Sequence, residues 1–463
     1  MTSNGNDHDE VVRHVWSTSE RFVPRVFVRP AQEFIQIEAA GGIVMLAAGV
    51  VALIWANSPW SGGYHSLWGT HVNVEIGSLV QLDHLTLRDW ISDAAMAVFF
   101  FVVGLEIKRE LVLGELRNPR AAALPAIAAV GGMVVPALIY LAFNAGTAMS
   151  DGWGIPMATD IAFAVGVISL LGDRVPSGAK LFLLTLAIVD DLGAILVIAI
   201  FYTDQLSLGW LGVAIVAVCA AANLRRVNVR SLVPFLGLGV LAWYALLESG
   251  VHATLVGVAF GFITPAWSFY SPARFVSDAR RLMDDVQKAF EDNSLDRDEY
   301  EHIGVALGDL RRLATETQSP LERLEKRLNP WVSFVVVPLF ALANAGISLS
   351  GDSLSGAWTD RVVLGVLFGL VVGKTVGVFS ATWLACRVGI GSLPAQTSWP
   401  VMLGVSMCAG VGFTVAMFVT NLSFAEVAPT DSAKLGVLVA SLLAGIAGFV
   451  FLRMIGSSTR RET

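Results

Sequence analysis

Long apolar segments recur from about residue 40 to about residue 455, more than the dry interior of one soluble domain can bury. They lie near 39–56, 90–107, 121–143, 154–171, 181–202, 208–223, 232–247, 251–266, 331–347, 362–384, 399–420 and 436–455. A helix crossing a hydrocarbon core takes roughly 20 residues. Twelve such helices use about half of the 463 residues and leave the rest for loops. Composition agrees, because Asp, Glu, Lys and Arg make up 15% of the chain against about 25% in soluble proteins, and mean hydropathy is +0.65. The expected class is an all-α polytopic membrane protein of about twelve transmembrane helices, with the lipid bilayer as its solvent and first partner.

A net charge of −7 excludes a basic nucleic-acid binder. Cys219, Cys386 and Cys408 have neither CxxC spacing nor a His/Cys ligand pattern, so neither a disulfide nor zinc is expected. No removable signal peptide is apparent in the polar first 38 residues. No P-loop is present, and no cofactor is expected.

Charge in the loops sets the orientation, since Lys and Arg are retained on the cytoplasmic side. Numbering the segments in order, all but five of the 31 Lys and Arg fall in the two tails and the loops after even-numbered spans. The exceptions are Arg88, Arg361 and Lys434 on the other side, Lys374 within a span and Arg453 at the inner end of the last one. This predicts a cytoplasmic tail at 1–38, eight spans over 39–266, a cytoplasmic loop at 267–330, four spans over 331–455 and a cytoplasmic tail at 456–463. The separator Glu248-Ser249-Gly250 reads either as a tight turn or as the middle of one tilted helix. The outer loop 57–89 alternates over Val72–Gly77 and again at Leu85–Leu87, which reads as a short β-hairpin. The loop 267–330 carries ten basic and thirteen acidic residues with apolar positions at helical spacing, predicting two or three amphipathic helices. Ser319-Pro320-Leu321-Glu322 starts the last of them, with an N-cap, a first-turn proline and a capping-box acid.

Ionisable groups at mid-membrane cost a few kcal/mol even on the lenient insertion scale, yet Asp160, Asp190, Asp191 and Lys374 all fall near span centres. A buried Asp–Lys pair that only fixes helix packing accounts for one acid and one base. Three acids exceed it, so the surplus must be protonated, solvated or bound to a cation. Neighbours on a helix point about 100° apart, so one of Asp190 and Asp191 can face Lys374 while the other faces a cavity. Carboxylate oxygens suit small hard cations, and desolvation raises their proton affinity, so sodium and protons compete for one site. The Thr159 hydroxyl and freed carbonyls supply further oxygens. Span four opens with Gly152-Trp153-Gly154-Ile155-Pro156, and span eleven contains Ala409-Gly410-Val411-Gly412, both of which weaken continuous helix. Pro156, Gly410 and Gly412 are the candidate break residues. Spans four and eleven are seven apart and run in opposite directions, as inverted repeats of spans three to five and ten to twelve require.

Four stretches make the chain resemble the NhaA-type sodium/proton antiporter family over roughly residues 33–455. They are Ala158-Thr159-Asp160-Ile161-Ala162-Phe163-Ala164, Leu186-Ala187-Ile188-Val189-Asp190-Asp191-Leu192-Gly193-Ala194-Ile195, Gly104-Leu105-Glu106-Ile107-Lys108-Arg109-Glu110-Leu111 and Ser249-Gly250-Val251-His252-Ala253-Thr254-Leu255. That family itself exemplifies inverted repeats with broken helices, so the repeat expectation is not independent of the resemblance. The resemblance implies two broken helices crossing at mid-membrane, where Asp160 balances facing helix N-termini and Lys374 facing C-termini, with Thr159 beside them. It implies that Asp191 is the principal Na+-binding carboxylate and that Asp190, sharing that ion site, pairs with Lys374 at rest. Glu106, Lys108, Arg109, Glu110 and Glu325 match positions used for pH regulation, although a charged helix end on the positive side explains them equally. His252 is a further pH-sensing candidate, for which a structural role at a helix turn is the preferred reading. A homodimer resting partly on the outer hairpin is also implied. Lys326 and Asn329 stand where familiar members carry histidines, and the loop 267–330 looks longer than usual.

The expected function is secondary active antiport, not enzymatic, exporting Na+ and also Li+ in exchange for H+ across a bacterial inner membrane. An intramembrane aspartyl protease and a passive cation channel are the alternatives. The first lacks its Gly-x-Gly-Asp signature, and the second needs a continuous pore rather than a competing proton site.

Overall fold

The computed structural model describes residues 40–76, 80–82, 85–203, 206–227, 231–268, 270–291, 297–349 and 356–458. The expected N-terminal tail and residues 459–463 of the C-terminal tail lie outside them.

Every apolar segment of the sequence overlaps helix, but six helices are long and apolar enough alone to cross a membrane. They are Leu87–Val112, Pro119–Asn144, Ser177–Phe201, Leu232–Ser249, Arg361–Val388 and Val427–Ile455. Three bent pairs pass only when joined across a break, which raises the number to nine among the described residues. Leu208–Leu224, Leu255–Ile263 and Val337–Asn344 fall short in length. An all-α polytopic membrane fold therefore stands, whereas length and hydropathy do not reach twelve. The shortfall has a physical source: breaks and π-turns such as Val332–Val336 divide apolar sequence among short helices.

Four local features differ from, or sharpen, the sequence expectation. Ala40–Ala56 turns by 117° into Ser61–Trp68, a helix inside what reads as loop. That short segment has little apolar periodicity, and it is held by the Tyr64 hydroxyl, which reaches the carbonyls of Leu342 (2.9 Å) and Ala343 (3.1 Å). Strand β1, Val74–Ile76, pairs antiparallel with β2, Val80–Leu82, with Glu75 opposite Gln81. The second strand is thus not Leu85–Leu87: Thr86 bridges His71 and forms a capping box with Asp89 that starts the next helix. Between Leu232–Ser249 and Leu255–Ile263 the chain makes a real turn, because Gly250 takes φ +79°, a left-handed conformation that glycine adopts without strain. Finally, the last helix begins at Val427, so Lys434 lies inside it, 4% exposed, and not in a loop.

The segment 267–330 forms the helices Pro272–Glu291, Arg297–Thr317 and Pro320–Trp331. Ser319 caps the third by accepting a hydrogen bond from the Glu322 N–H at 3.1 Å.

The chain falls into two compact units, each interleaved in sequence. One comprises Met1–Ser92, Ala123–Ile198 and Ser333–Thr463. Its core packs Leu124, Ala128, Ile168, Leu183, Val378 and Met402 together. Within it the helices Pro119–Asn144 and Arg361–Val388 touch backbone to backbone at Gly131 and Gly377, where a Cβ has no room. The other comprises Asp93–Ala122 and Ala199–Val332. There Gly104 packs against Gly261, and Leu105, Ala266 and Leu321 form a small core.

Candidate ion site at two broken helices

Two helices of the first unit are interrupted at mid-length. Ala148–Met157, a 3-10 segment, meets Ile161–Ser169 at 40°, and Trp399–Cys408 meets Phe413–Ser423 at 47°. Pro156 lacks an N–H and lies two residues before the first break. The second break runs through Gly410 and Gly412, where the chain passes its neighbours too closely for a side chain. A Cβ at Gly410 would lie 2.6 Å from the Leu370 carbonyl oxygen, and one at Gly412 would lie 3.0 Å from that of Ala158.

The interrupted strands of backbone satisfy each other. The Asp160 N–H donates to the Val411 carbonyl at 2.7 Å, and the Thr159 hydroxyl donates to the Ala409 carbonyl at 2.9 Å. Each second half-helix then begins with unpaired N–H groups and the positive end of its dipole. Asp160 serves both. Its Oδ1 accepts from the Phe163 N–H at 3.1 Å on its own helix, and its Oδ2 accepts from the Thr414 N–H at 3.1 Å on the other. The Thr414 hydroxyl donates to the same Oδ2 at 2.6 Å. Ser441, on the last helix, accepts from the N–H groups of Gly412 (3.3 Å) and Phe413 (3.1 Å).

Lys374 follows directly on the π-turn Gly369–Gly373. Its stem passes Gly132, where a Cβ would stand 3.7 Å from Cδ. Its Nζ donates to Asp190 Oδ2 at 2.6 Å, with both side chains wholly buried. Among the described residues this is the one side-chain hydrogen bond of Lys374, and the carbonyl at Ala409 is met by the Thr159 hydroxyl. Thr159 also borders the Asp190 carboxylate, and the Asp191 charge falls within reach of Lys374. Asp160, Asp190 and Asp191 are 3%, 0% and 4% exposed. The structure therefore brings Thr159, Asp160, Asp190, Asp191 and Lys374 into one unit: Thr159 and Asp160 hold the breaks, Thr159 borders Asp190, and Lys374 meets Asp190 within reach of Asp191. Three carboxylates against one ammonium leave two negative charges if all ionise, which favours protons or a small cation there.

The remaining candidates belong to the second unit. Arg109 pairs with Glu325 and, at 3.4 Å, with Glu110. Glu106 lies within electrostatic reach of Glu325, Arg109 and Glu110. Burial pushes the Glu325 carboxyl above the usual carboxylate range, while the Arg109 guanidinium pulls it back. Lys108 donates to the carbonyls of Phe262 (2.6 Å) and Thr264, closing the C-terminal end of Leu255–Ile263. Glu110 accepts from the Glu115 N–H at 3.1 Å. His252 sits in the turn before Leu255, whose N–H donates to the His252 carbonyl at 3.1 Å.

Thr414 and Ser441 escape a reading of the sequence. Thr414 follows a glycine-rich break, which is a usable signal for a capping residue. Ser441 is one hydroxyl in a long apolar helix and carries none.

The chain matches the family described as Na+/H+ antiporter 1 over residues 32–452. It is 46% identical to the Na+/H+ antiporter NhaA of Oleidesulfovibrio alaskensis over 428 residues, 92% of this chain and 94% of that protein. It is 46% identical to the Na+/H+ antiporter NhaA of Rhodopirellula baltica, covering 92% and 94%. With the Na+/H+ antiporter NhaA 2 of Sorangium cellulosum it shares 43%, covering 95% and 92%. Apolar helices, buried acids at two broken helices and a match along most of the chain agree: it belongs to the Na+/H+ antiporter 1 family, which are transporters and not enzymes.

Proposed function

We propose that this protein exports Na+, and Li+ with it, in exchange for inward-moving protons, by alternating access across a bacterial inner membrane. The observation that carries the reading is the buried set of three carboxylates and one lysine at two helix breaks. In this reading Asp191 is the principal cation ligand. Asp190 pairs with Lys374 at rest and is released when the site loads. Thr159 and the carbonyls freed at the breaks add neutral oxygens, and Asp160 holds the two half-helices in register. Protons and Na+ compete for the same acids, so loading one ejects the other. Exchange of two protons for one Na+ moves net charge and makes the cycle electrogenic; a rate insensitive to an imposed potential removes that part.

The cluster of Glu106, Lys108, Arg109, Glu110 and Glu325 is the proposed pH-regulatory element, with the Arg109–Glu325 pair as its titrating contact. His252 is assigned to the turn. The same reading has twelve spans, eight over 39–266 and four over 331–455, with inverted repeats, both tails and the 267–330 helices cytoplasmic, and a homodimer resting partly on the β-hairpin. It needs no resident cofactor. A lysine among the acids suits neither proteolysis nor a pore lined by an acid ring.

The test is sodium-dependent dequenching of a pH dye in proteoliposomes carrying wild type or Asp191→Asn. Loss of the signal in the variant is expected; full activity in the variant defeats the assignment of Asp191.

A further inference from the structure

The half-helix Phe413–Ser423 starts inside the membrane with N–H groups that no earlier turn can accept. Asp160 takes one of them, from Thr414, and that carboxylate is already shared with the other half-helix. The N–H groups of Gly412 and Phe413 go instead to the Ser441 hydroxyl, at 3.3 and 3.1 Å. Ser441 is 2% exposed, and a hydroxyl oxygen has two lone pairs, so both are engaged. Its own helix is held against both breaks one turn further on. A Cβ at Gly445 would stand 3.1 Å from the Phe163 ring, and one at Gly410 would stand 3.2 Å from the Ala444 Cβ. Ser441 is thus a buried acceptor on a closely packed helix, placed at the start of an interrupted one.

From this geometry we propose that Ser441 is a positioning residue for ion exchange: its hydroxyl accepts the two half-helix N–H groups that Asp160 does not reach. The inference deepens the antiport reading and rests on it. Two facing N-termini present roughly one unit of positive charge near the ion site, which the single negative charge of Asp160 balances in total. Its two oxygens reach the N–H groups of Phe163 and Thr414, however, and leave those of Gly412 and Phe413 to Ser441. Without that acceptor two buried N–H groups are left unpaired at the break, and their local positive potential opposes a cation on the neighbouring acids. Thr414 can also drift from Asp160 Oδ2, because two N–H groups beside it lose their anchor. Weaker apparent cation affinity with a largely preserved turnover is the consequence.

Exchange is measured in proteoliposomes over a range of Na+ concentrations for wild type, Ser441→Ala, Ser441→Cys and Ser441→Thr. The Ala variant is expected to raise the apparent KM for Na+ roughly three- to tenfold, the size of a lost cap at a helix end, with kcat within about twofold. Ser441→Thr keeps the hydroxyl and stays near wild type. Ser441→Cys, of similar size but a weak acceptor, moves in the direction of Ala and carries the test if Ala fails to reach the membrane. An unchanged KM in Ala and Cys, or a fall in kcat alone, overturns the inference. A wild-type protein without Na+-dependent proton exchange overturns the antiport reading instead, so the two failures are distinct.

Discussion

Removing either partner of the Asp190–Lys374 pair strands the other as a buried charge, because the two side chains share one 2.6 Å contact and nothing of either is exposed. Both side chains are wholly buried, so neither water nor salt screens the pair. Asp190→Asn leaves an ammonium in a dry interior, opposed only by the Asp191 charge nearby. Breaking a buried pair in this way costs about 3–5 kcal/mol. At about 2 °C per kcal/mol, the lower figure for larger domains, the unfolding midpoint falls by roughly 6–10 °C. Lys374→Met strands Asp190 in the same way, and a loss of the same order is expected. Asp190→Leu combined with Lys374→Met removes both charges and recovers much of the loss, because the desolvation penalty goes with them. The assay is thermal unfolding in detergent at pH 7, followed by tryptophan fluorescence of purified variants. An Asp190→Asn midpoint within a degree of wild type, or a double variant less stable than Asp190→Asn, refutes the reasoning.

Thr414→Val removes a 2.6 Å hydroxyl donor from Asp160. A hydrogen bond to a charged group is worth about 1.5–3 kcal/mol, and a fall of that size in unfolding free energy in denaturant is expected. Gly412→Ala places a Cβ 3.0 Å from the Ala158 carbonyl oxygen and from Leu370 Cδ2. Overpacking of this kind costs about 1–3 kcal/mol, to be seen as a lower unfolding midpoint together with slower exchange. Arg109→Gln takes away the cation that pulls Glu325 down against burial, so the Glu325 carboxyl ionises only at higher pH. In wild type the ion pair is present above that raised pKa and is lost as pH falls through it. The carboxyl band followed by infrared titration should therefore move to higher pH in the variant; a shift towards acid contradicts the sign.

The membrane class and the site acids were legible because each rests on a property read one residue at a time. An apolar run demands lipid wherever it packs, and a charge within such a run is costly wherever it points. Twelve helices were less legible, since hydropathy marks apolar chain and not helical continuity. Short helices such as Leu255–Ile263 and Val337–Asn344 carry the same composition as complete spans. Lys434 read as a loop residue because Thr430, Asp431 and Ser432, just before it, are polar although they lie inside the helix starting at Val427.

By itself, then, the sequence determined that this chain lives in a bilayer, that it keeps three acids and a lysine there, and where its helices weaken. The contact of Lys374 with Asp190, 184 positions away, was implied by resemblance, but only the tertiary structure decided that Thr414 meets Asp160 across 254. It alone placed Ser441 over the start of Phe413–Ser423. The reason is one of range. Hydropathy and helix breaking act over a few residues, whereas a hydrogen bond between distant segments exists only once close glycine contacts have brought their backbones together.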